Sequence, residues 1–236
     1  MKKSIASQLL LSLLTVMLFA TCGEIVPDKE ALTQSPDDES MMMTGVTTKP
    51  ANKFNNMFNR YGNGWTGGDA TYSVKLPDGR TVWMFGDSFL DTVYADNTRP
   101  LTSPLIRNCF MVQNGTNMTT LCGNNIDDPE ALVNTADPAN EWYWPGDGTV
   151  IADTLYVFMM YFVRTGGGGF DFAYQRTDLV TFSLPTITEV NRTTVFTNED
   201  IMWGADILED GSYIYVYGPE SFTFTKYPHV MRFPAG

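Results

Sequence analysis

The sequence predicts an all-β fold, specifically a β-propeller assembled from four-stranded blades. Helix signals are scarce, and aromatic residues, Val, Thr and Gly dominate the part of the chain that reads as ordered. The same opening, a Trp followed within four residues by an Asp, recurs at Trp65/Asp69, Trp144/Asp147 and Trp203/Asp206. Hairpins follow each opening, and a unit of four antiparallel strands that cannot bury both faces alone is the sequence picture of a propeller blade. A β-sandwich made of the same hairpins is the alternative, although it gives no reason for the recurring opening.

The first residues do not belong to that fold. Met1-Lys2-Lys3, an apolar run from Leu9 to Ala20 and then Thr21-Cys22 read as a bacterial export signal ending in a lipoprotein cysteine. The run is too short to span a bilayer. Phe19 and Thr21 depart from the usual lipobox, so loss of Cys22 with the cleaved peptide is the alternative to its lipidation. Residues 23–53 are rich in Asp, Glu, Thr, Ser and Met without a sustained period and read as a flexible acidic tether. The folded domain is expected over 54–236. The protein is thus expected in the periplasm or at the bacterial outer membrane or cell surface, touching lipid only through its anchor. A net charge of −12 leaves no basic stripe to displace counterions, which argues against a nucleic-acid partner.

The first unit spans 65–122 and begins with WTGGDATYSVKLPDGRTVWMFGDSF, a hairpin turning at Pro77-Asp78-Gly79. Gly79 can take the positive φ of a three-residue loop. With Leu76 facing Arg80, counting outward sets Asp69 opposite Asp87, with Cβ atoms ~5 Å apart. Like charges that close need a proton, a cation or a ligand between them; the plainer alternative is a slipped register or two solvated side chains. A second hairpin, CFMVQNGTNMTTLC, would pair Cys109 with Thr120 through an Asn114-Gly115 turn, or with Cys122 through a four-residue loop. A Cys109–Cys122 disulfide and two separate thiols both remain open. Residues 123–141 read as loop. Asn124, Asn125, Asp127, Asp128 and Glu130 there offer oxygen ligands for Ca²⁺, but without the spacing of a known loop, so a solvated acidic turn is the main expectation and no cofactor is required.

The second unit, 142–197, runs from WYWPGDGTV through an Ala152-Asp153 turn and strands at Leu155–Val163, Phe170–Arg176, Asp178–Leu184 and Ile187–Phe196. The third, 203–236, stops after about three strands, giving two and a half blades in all. Because a propeller hides its edges by closing, the chain is expected to be a fragment of a longer, monomeric protein.

WTGGDATYSVKLPDGRTVWMFGDSF, RNCFMVQNG, WYWPGDGTV and DLVTFSLP resemble, over residues 61–236, a family of secreted bacterial proteins known only as domains of unknown function. That family is in turn similar to the five-bladed propellers of arabinanase- and levansucrase-type glycosidases. The resemblance implies a five-bladed type of ring, a carbohydrate ligand, and acidic residues on innermost strands pointing into a central channel, where Asp69, Asp147 and Asp206 would fall. Those glycosidases use a Glu as the acid on the third blade, whereas here the position is Asp206. Glu220, in YGPESF, echoes Asp87 in FGDSF and is the other candidate acid, although the hairpin count sets it opposite Asp200.

Glycoside cleavage needs two carboxyl groups in different protonation states across one bond. Asp69 is the candidate base or nucleophile, Asp147 the group that orients and tunes its neighbours, and Glu220 or Asp206 the acid, its pKa raised by burial and like charge. Each Asp could instead be a strand-start residue satisfying backbone N–H groups. Arg107 and Asn108 could hydrogen-bond hydroxyls, with Asp87 at the same face. Trp65 and Trp203 read mainly as core, whereas Trp142, Tyr143 and Trp144, at a loop-to-strand junction, read as sugar contacts. The single histidine, His229, makes a Ser-His-Asp triad or a His-based zinc site a poor fit, and Gly166–Gly169 lacks the helix and Lys of a phosphate loop. The function expected is therefore glycan hydrolysis, with glycan binding without turnover as the alternative.

Overall fold

The computed structural model describes residues 48–197, 200–222 and 225–235. The export signal, Cys22 and the tether up to residue 47 lie outside the described residues. Described residues from Pro50 onward belong to one compact unit. None of their helices is long and apolar enough to cross a membrane. They hold one short helix, α1 (Asn52–Phe58), and fourteen strands: β1 (Trp65–Lys75), β2 (Thr81–Leu90), β3 (Leu105–Ile106), β4 (Cys109–Asn114), β5 (Asn117–Leu121), β6 (Gly123–Asn125), β7 (Asp128–Glu130), β8 (Glu141–Ile151), β9 (Thr154–Arg164), β10 (Phe172–Ser183), β11 (Thr188–Thr197), β12 (Asp206–Asp210), β13 (Tyr213–Phe222) and β14 (Thr225–Pro234).

These strands form antiparallel sheets that follow the chain. The first is ordered β1-β2-β4-β5 with β3 on β2, the second β8-β9-β10-β11, and the third β12-β13-β14, while β6 and β7 make a small separate hairpin. The first strands of successive sheets are neighbours, β8 touching β1 and β2 on one side and β12 on the other. Among the described residues no sheet closes on itself.

Alternation along the strands explains how the sheets pack. Val74, Leu76, Val82, Met84 and Phe110 of the first sheet meet Tyr143, Leu155, Val157, Met159, Val180 and Phe182 of the second in one buried cluster. The other face of β9 sends Phe158 toward Trp203, Ile214 and Val216, which joins the second sheet to the third. Trp203 is therefore core, as expected. Trp65 is core of a different kind, buried with Phe85, Leu90, Ile106 and Met111 on the far side of the first sheet. The Phe58 ring of α1 closes that cluster 5.8 Å from the ring of Trp65.

The local readings hold where turn chemistry dictates register. Gly79 has φ 91°, and Leu76 pairs with Arg80 through a 2.9 Å bond. The second hairpin turns at Gly115-Thr116, one residue later than an Asn-Gly turn, because Asn114 pairs with Asn117. Its ladder, ending at Phe110↔Leu121, points Cys109 toward Cys122, and both thiols are free. Two expectations are corrected. WYWPGDGTV is itself the strand β8, so Trp142 and Tyr143 lie inside a sheet rather than at its mouth. Phe170–Arg176 and Asp178–Leu184 are not two strands but the single β10, with a bulge near Gln175. In the polar break that suggests a turn, Arg176-Thr177-Asp178, the last two residues are buried instead: Asp178 accepts from the half-buried Arg176 Nε at 3.0 Å and from the Tyr143 hydroxyl.

Candidate active site

Three of the four candidate carboxylates come from the first strands of their sheets. Down the ladder from the Pro77 loop the register is regular to Tyr72↔Met84, and then β1 bulges. Ala70 and Thr71 adopt positive φ, 60° and 129°. For a β-branched residue such as Thr71 this is a strained backbone, costing roughly 1–3 kcal/mol and found most often at functional sites. Pairing resumes at Gly68↔Ser88, so Asp69 lies across from Gly86 and Asp87. The expected acidic pair is therefore present, displaced by the bulge. Burial by its surroundings, then the charge of Asp87, raise the Asp69 pKa above 3.8, while N–H groups of Asp87 and of Asp69 itself pull it down. Gly86 makes the room: a Cβ there would lie 2.4 Å from Asp69 Oδ1 and 3.4 Å from Cδ1 of Trp144. Carboxylate and indole thus flank the same spot.

Asp87 ties the two sheets together. It accepts 2.7 Å from Trp144 Nε1 and 2.9 Å from Arg107, whose guanidinium lies 4.3 Å from the centroid of the Trp142 ring. Arg107 is thereby committed to Asp87.

Asp147 and Asp206 form a second acidic pair across the next joint. Asp147 N–H donates to the Gly204 carbonyl at 2.6 Å, and its carboxylate accepts from Gly148 N–H at 2.8 Å and Ile207 N–H at 3.0 Å. These bonds clamp β8 to the start of β12, and two glycines permit the approach. A Cβ on Gly146 would sit 2.3 Å from the Gly204 carbonyl oxygen, and Gly204 itself has φ +101° with Phe158 Cβ 2.4 Å from where its own would be. Burial raises the Asp147 pKa above 3.8; the two backbone N–H groups oppose this, and the charge of Asp206 and a hydrogen bond between the two carboxyls raise it further.

Beside Asp87, on the far side of the Trp144 ring, lies a cleft of about 400 Å³ lined by Tyr72, Trp144, Met160, Phe162, Phe172 and Met202 among others; none of the four aspartates lines it, and Asp147 borders a separate hollow with Lys75 and Glu209. Trp144 forms its side toward Asp69 and Asp87. Tyr72 borders it toward the other pair, since burial and then the charges of Asp147 and Asp206 raise the pKa of its hydroxyl.

The remaining expected residues are placed elsewhere. Glu220 on β13 bridges Ile201, next to the Asp200 of the hairpin count, and its carboxylate is 2.9 Å from His229 Nε2 on β14. Asn108 is fully buried, its amide donating at 3.0 Å to the carbonyls of Val133 and Tyr143 and accepting from Val133 N–H at 2.8 Å. It is a staple between sheets with no atom left for a ligand. Trp142 and Tyr143, each 2% exposed, are core residues and not open sugar contacts. Among the described residues no group of three or more His, Cys, Asp or Glu side chains is placed to hold a metal. In the acidic turn, Asn125 Oδ1 accepts from the N–H groups of Asp127 and Asp128, and Asn124 donates to Asp128. Tyr72, Met160, Phe162 and Phe172 are what sequence reasoning missed. They lie on three different strands, and no spacing announces that they meet.

Residues 51–236 match the family of the domain of unknown function DUF5005, and the chain belongs to that family. No curated relative matches the chain. Among solved structures, one from Bacteroides ovatus, described as a "putative hydrolase", superposes with a TM-score of 0.64 at 23% identity, over 76% of this chain and 51% of its own. The chain thus spans about half the length of that structure, and the likeness is one of fold.

Proposed function

We propose that this member of the DUF5005 family is a surface or periplasmic lipoprotein that hydrolyses a glycosidic bond in a glycan. The observation that carries this reading is the gathering of Asp69, Asp147 and Asp206 on the adjoining first strands of three sheets, with Asp87 beside Asp69 and bonded to the Trp144 that walls an aromatic cleft. Asp147 is more enclosed than Asp69, its carboxylate held by the Gly148 and Ile207 N–H groups, whereas Asp69 lies exposed on β1. Asp147, its pKa raised first by burial, is the acid that gives its proton to the glycosidic oxygen as the bond to the leaving group breaks, with Asp206 as its neighbour. Asp69 is the base or nucleophile on the sugar carbon, its charge facing the open side of the site. Asp87, neutralised by Arg107 and held by Trp144, fixes the wall between them. Glu220 is engaged by His229, which leaves the acid role to the Asp147–Asp206 pair.

Three sheets packed in chain order with their first strands side by side fit consecutive blades of a propeller of the five-bladed type, whose hub the aspartates would line. The likeness of fold to a structure described as a hydrolase agrees with the reaction class. Export and lipidation rest on Leu9–Ala20 and Cys22.

The test is turnover on a panel of plant and host polysaccharides, with Asp69→Asn and Asp147→Asn beside the wild type. Release of reducing ends by the wild type, reduced at least ~100-fold in both variants while they remain folded, supports the reading. Measurable affinity without release of any product makes the protein a glycan binder and refutes catalysis.

A further inference from the structure

We infer that Cys109 and Cys122 are a disulfide site: oxidation joins them into a cross-strand bridge that locks β5, the edge strand of the first sheet, to β4. The inference does not depend on the glycan reading. It rests on the register of one hairpin and on the face of the sheet that both thiols share.

The turn sets the register. A two-residue turn makes Asn114↔Asn117 a hydrogen-bonded pair, and bonded and non-bonded pairs alternate from there. Gln113↔Met118 and Met111↔Thr120 are therefore non-bonded pairs, and the ladder reaches Phe110↔Leu121 without a bulge. One step further sets Cys109 opposite Cys122, again as a non-bonded pair. Facing Cα atoms at such a position are ~4.5 Å apart, within the ~4.4–6.8 Å that a disulfide spans. A turn at Asn114-Gly115 would instead have set Cys109 against Thr120 and left no bridge to make.

Packing agrees with the count. The Thr120 hydroxyl donates to Met111 Sδ at 3.2 Å, so facing side chains on this side of the hairpin meet across the strands. Cys109 is fully buried in the cluster of Trp65, Phe85, Leu90 and Met111, and Cys122 packs against that same cluster. Both are thiols in the structure. The bridge would hold more than its own hairpin, because Thr120 Oγ1 accepts from Trp65 N–H at 2.9 Å where β1, the strand of Asp69, begins.

Exposure sets the order of events. Burial raises the pKa of both thiols, that of Cys109 to about 12, and only Cys122 is partly exposed. The Cys122 thiolate therefore attacks first, on the disulfide of an outside oxidant such as oxidised glutathione. The oxidant's S–S bond breaks, a mixed disulfide forms and one thiolate leaves. Cys109 then gives up its proton, attacks the Cys122 sulfur and expels the second thiolate. Two protein thiols are oxidised, one external disulfide is reduced to two thiols, and the two protons pass to the leaving thiolates.

The experiment incubates the full chain with oxidised glutathione, so it is independent of where the protein resides. The product is unfolded in iodoacetamide and cut with trypsin, which leaves Cys109 and Cys122 together on residues 108–164 and Cys22 on another peptide. The expected result is a 108–164 peptide that takes no label before reduction and one on each cysteine after it. The oxidised protein should melt roughly 5–10 °C above the reduced one. In Cys109→Ala, Cys122 should hold one glutathione. In Cys122→Ala, Cys109 should hold none while the protein is native. A 108–164 peptide labelled at both cysteines before reduction would overturn the inference, as would a melting point unchanged by oxidation. Glutathione on Cys109 of the native Cys122→Ala protein would overturn the order of attack. The wild-type readout needs no substitution, so it stands even where a variant fails to fold.

Discussion

Replacing Gly146 by Ala tests the joint on which the second acidic pair depends. The added Cβ would lie 2.3 Å from the carbonyl oxygen of Gly204, 2.9 Å from its carbon and 3.3 Å from the carbonyl oxygen of Phe158. All three are backbone atoms, so no rotamer change relieves the clash; β8 and the segment before β12 must move apart. Overpacking of this kind costs about 1–3 kcal/mol. The separation also endangers the bonds from Asp147 N–H to Gly204 and from Ile207 N–H to Asp147, at about 0.5–1.5 kcal/mol each. A loss of about 2–5 kcal/mol is therefore expected, measured as a lower urea midpoint at unchanged slope. Gly167→Ala is the control, since nothing lies within 4 Å of a Cβ there, and it should stay within about 0.5 kcal/mol of wild type. If Gly146→Ala unfolds together with the control, the close approach of β8 to β12 is wrong, and with it the contact between Asp147 and Asp206.

Two further outcomes follow from the same geometry. Asp178→Ala leaves the buried Tyr143 O–H without its acceptor and removes the carboxylate partner of Arg176. Loss of one member of a buried pair costs about 3–5 kcal/mol, and with the Arg176 side chain 31% exposed and able to reach water the lower end is expected, read from chemical unfolding. The folded-state pKa of Asp69 lies above 3.8, so just above that pH the native state binds more protons than the unfolded chain. Its contribution is therefore unfavourable at neutral pH and is relieved as pH falls through the raised value. Asp69→Asn removes that relief, so its stability should fall more steeply toward acid than that of wild type, and a variant whose profile matches wild type would mean that Asp69 is fully solvated.

How far the sequence foretold this arrangement depended on whether the cause was local. Pro77-Asp78-Gly79 sets its hairpin register unaided, so the meeting of Asp69 with Asp87 could be counted from the loop; the bulge at Ala70-Thr71 could not, because Thr and Ala give no sign of positive φ. The recurring Trp and Asp marked the first strands of three sheets, yet their tryptophans do different work: Trp65 lies under α1, Trp144 walls the cleft and Trp203 fills a joint. Trp142 and Tyr143 looked like exposed contacts because they follow the loop-like stretch 123–141, but burial against the neighbouring sheet overrides that local preference. Asn108 was read as a ligand residue from its chemistry, and only the packing shows that its amide is used by backbone. The cleft itself is assembled from strands far apart in the chain.

Titrating the aspartate carboxyl carbons by NMR, in wild type and in Asp206→Asn, tests the acid role of Asp147 most directly. Asp147 should titrate above the ordinary carboxylate range and move down in Asp206→Asn, though not fully, because burial is the larger cause. An Asp147 resonance that titrates near 3.8 in both proteins would contradict the buried placing of Asp147 beside Asp206 and would leave the site without its acid.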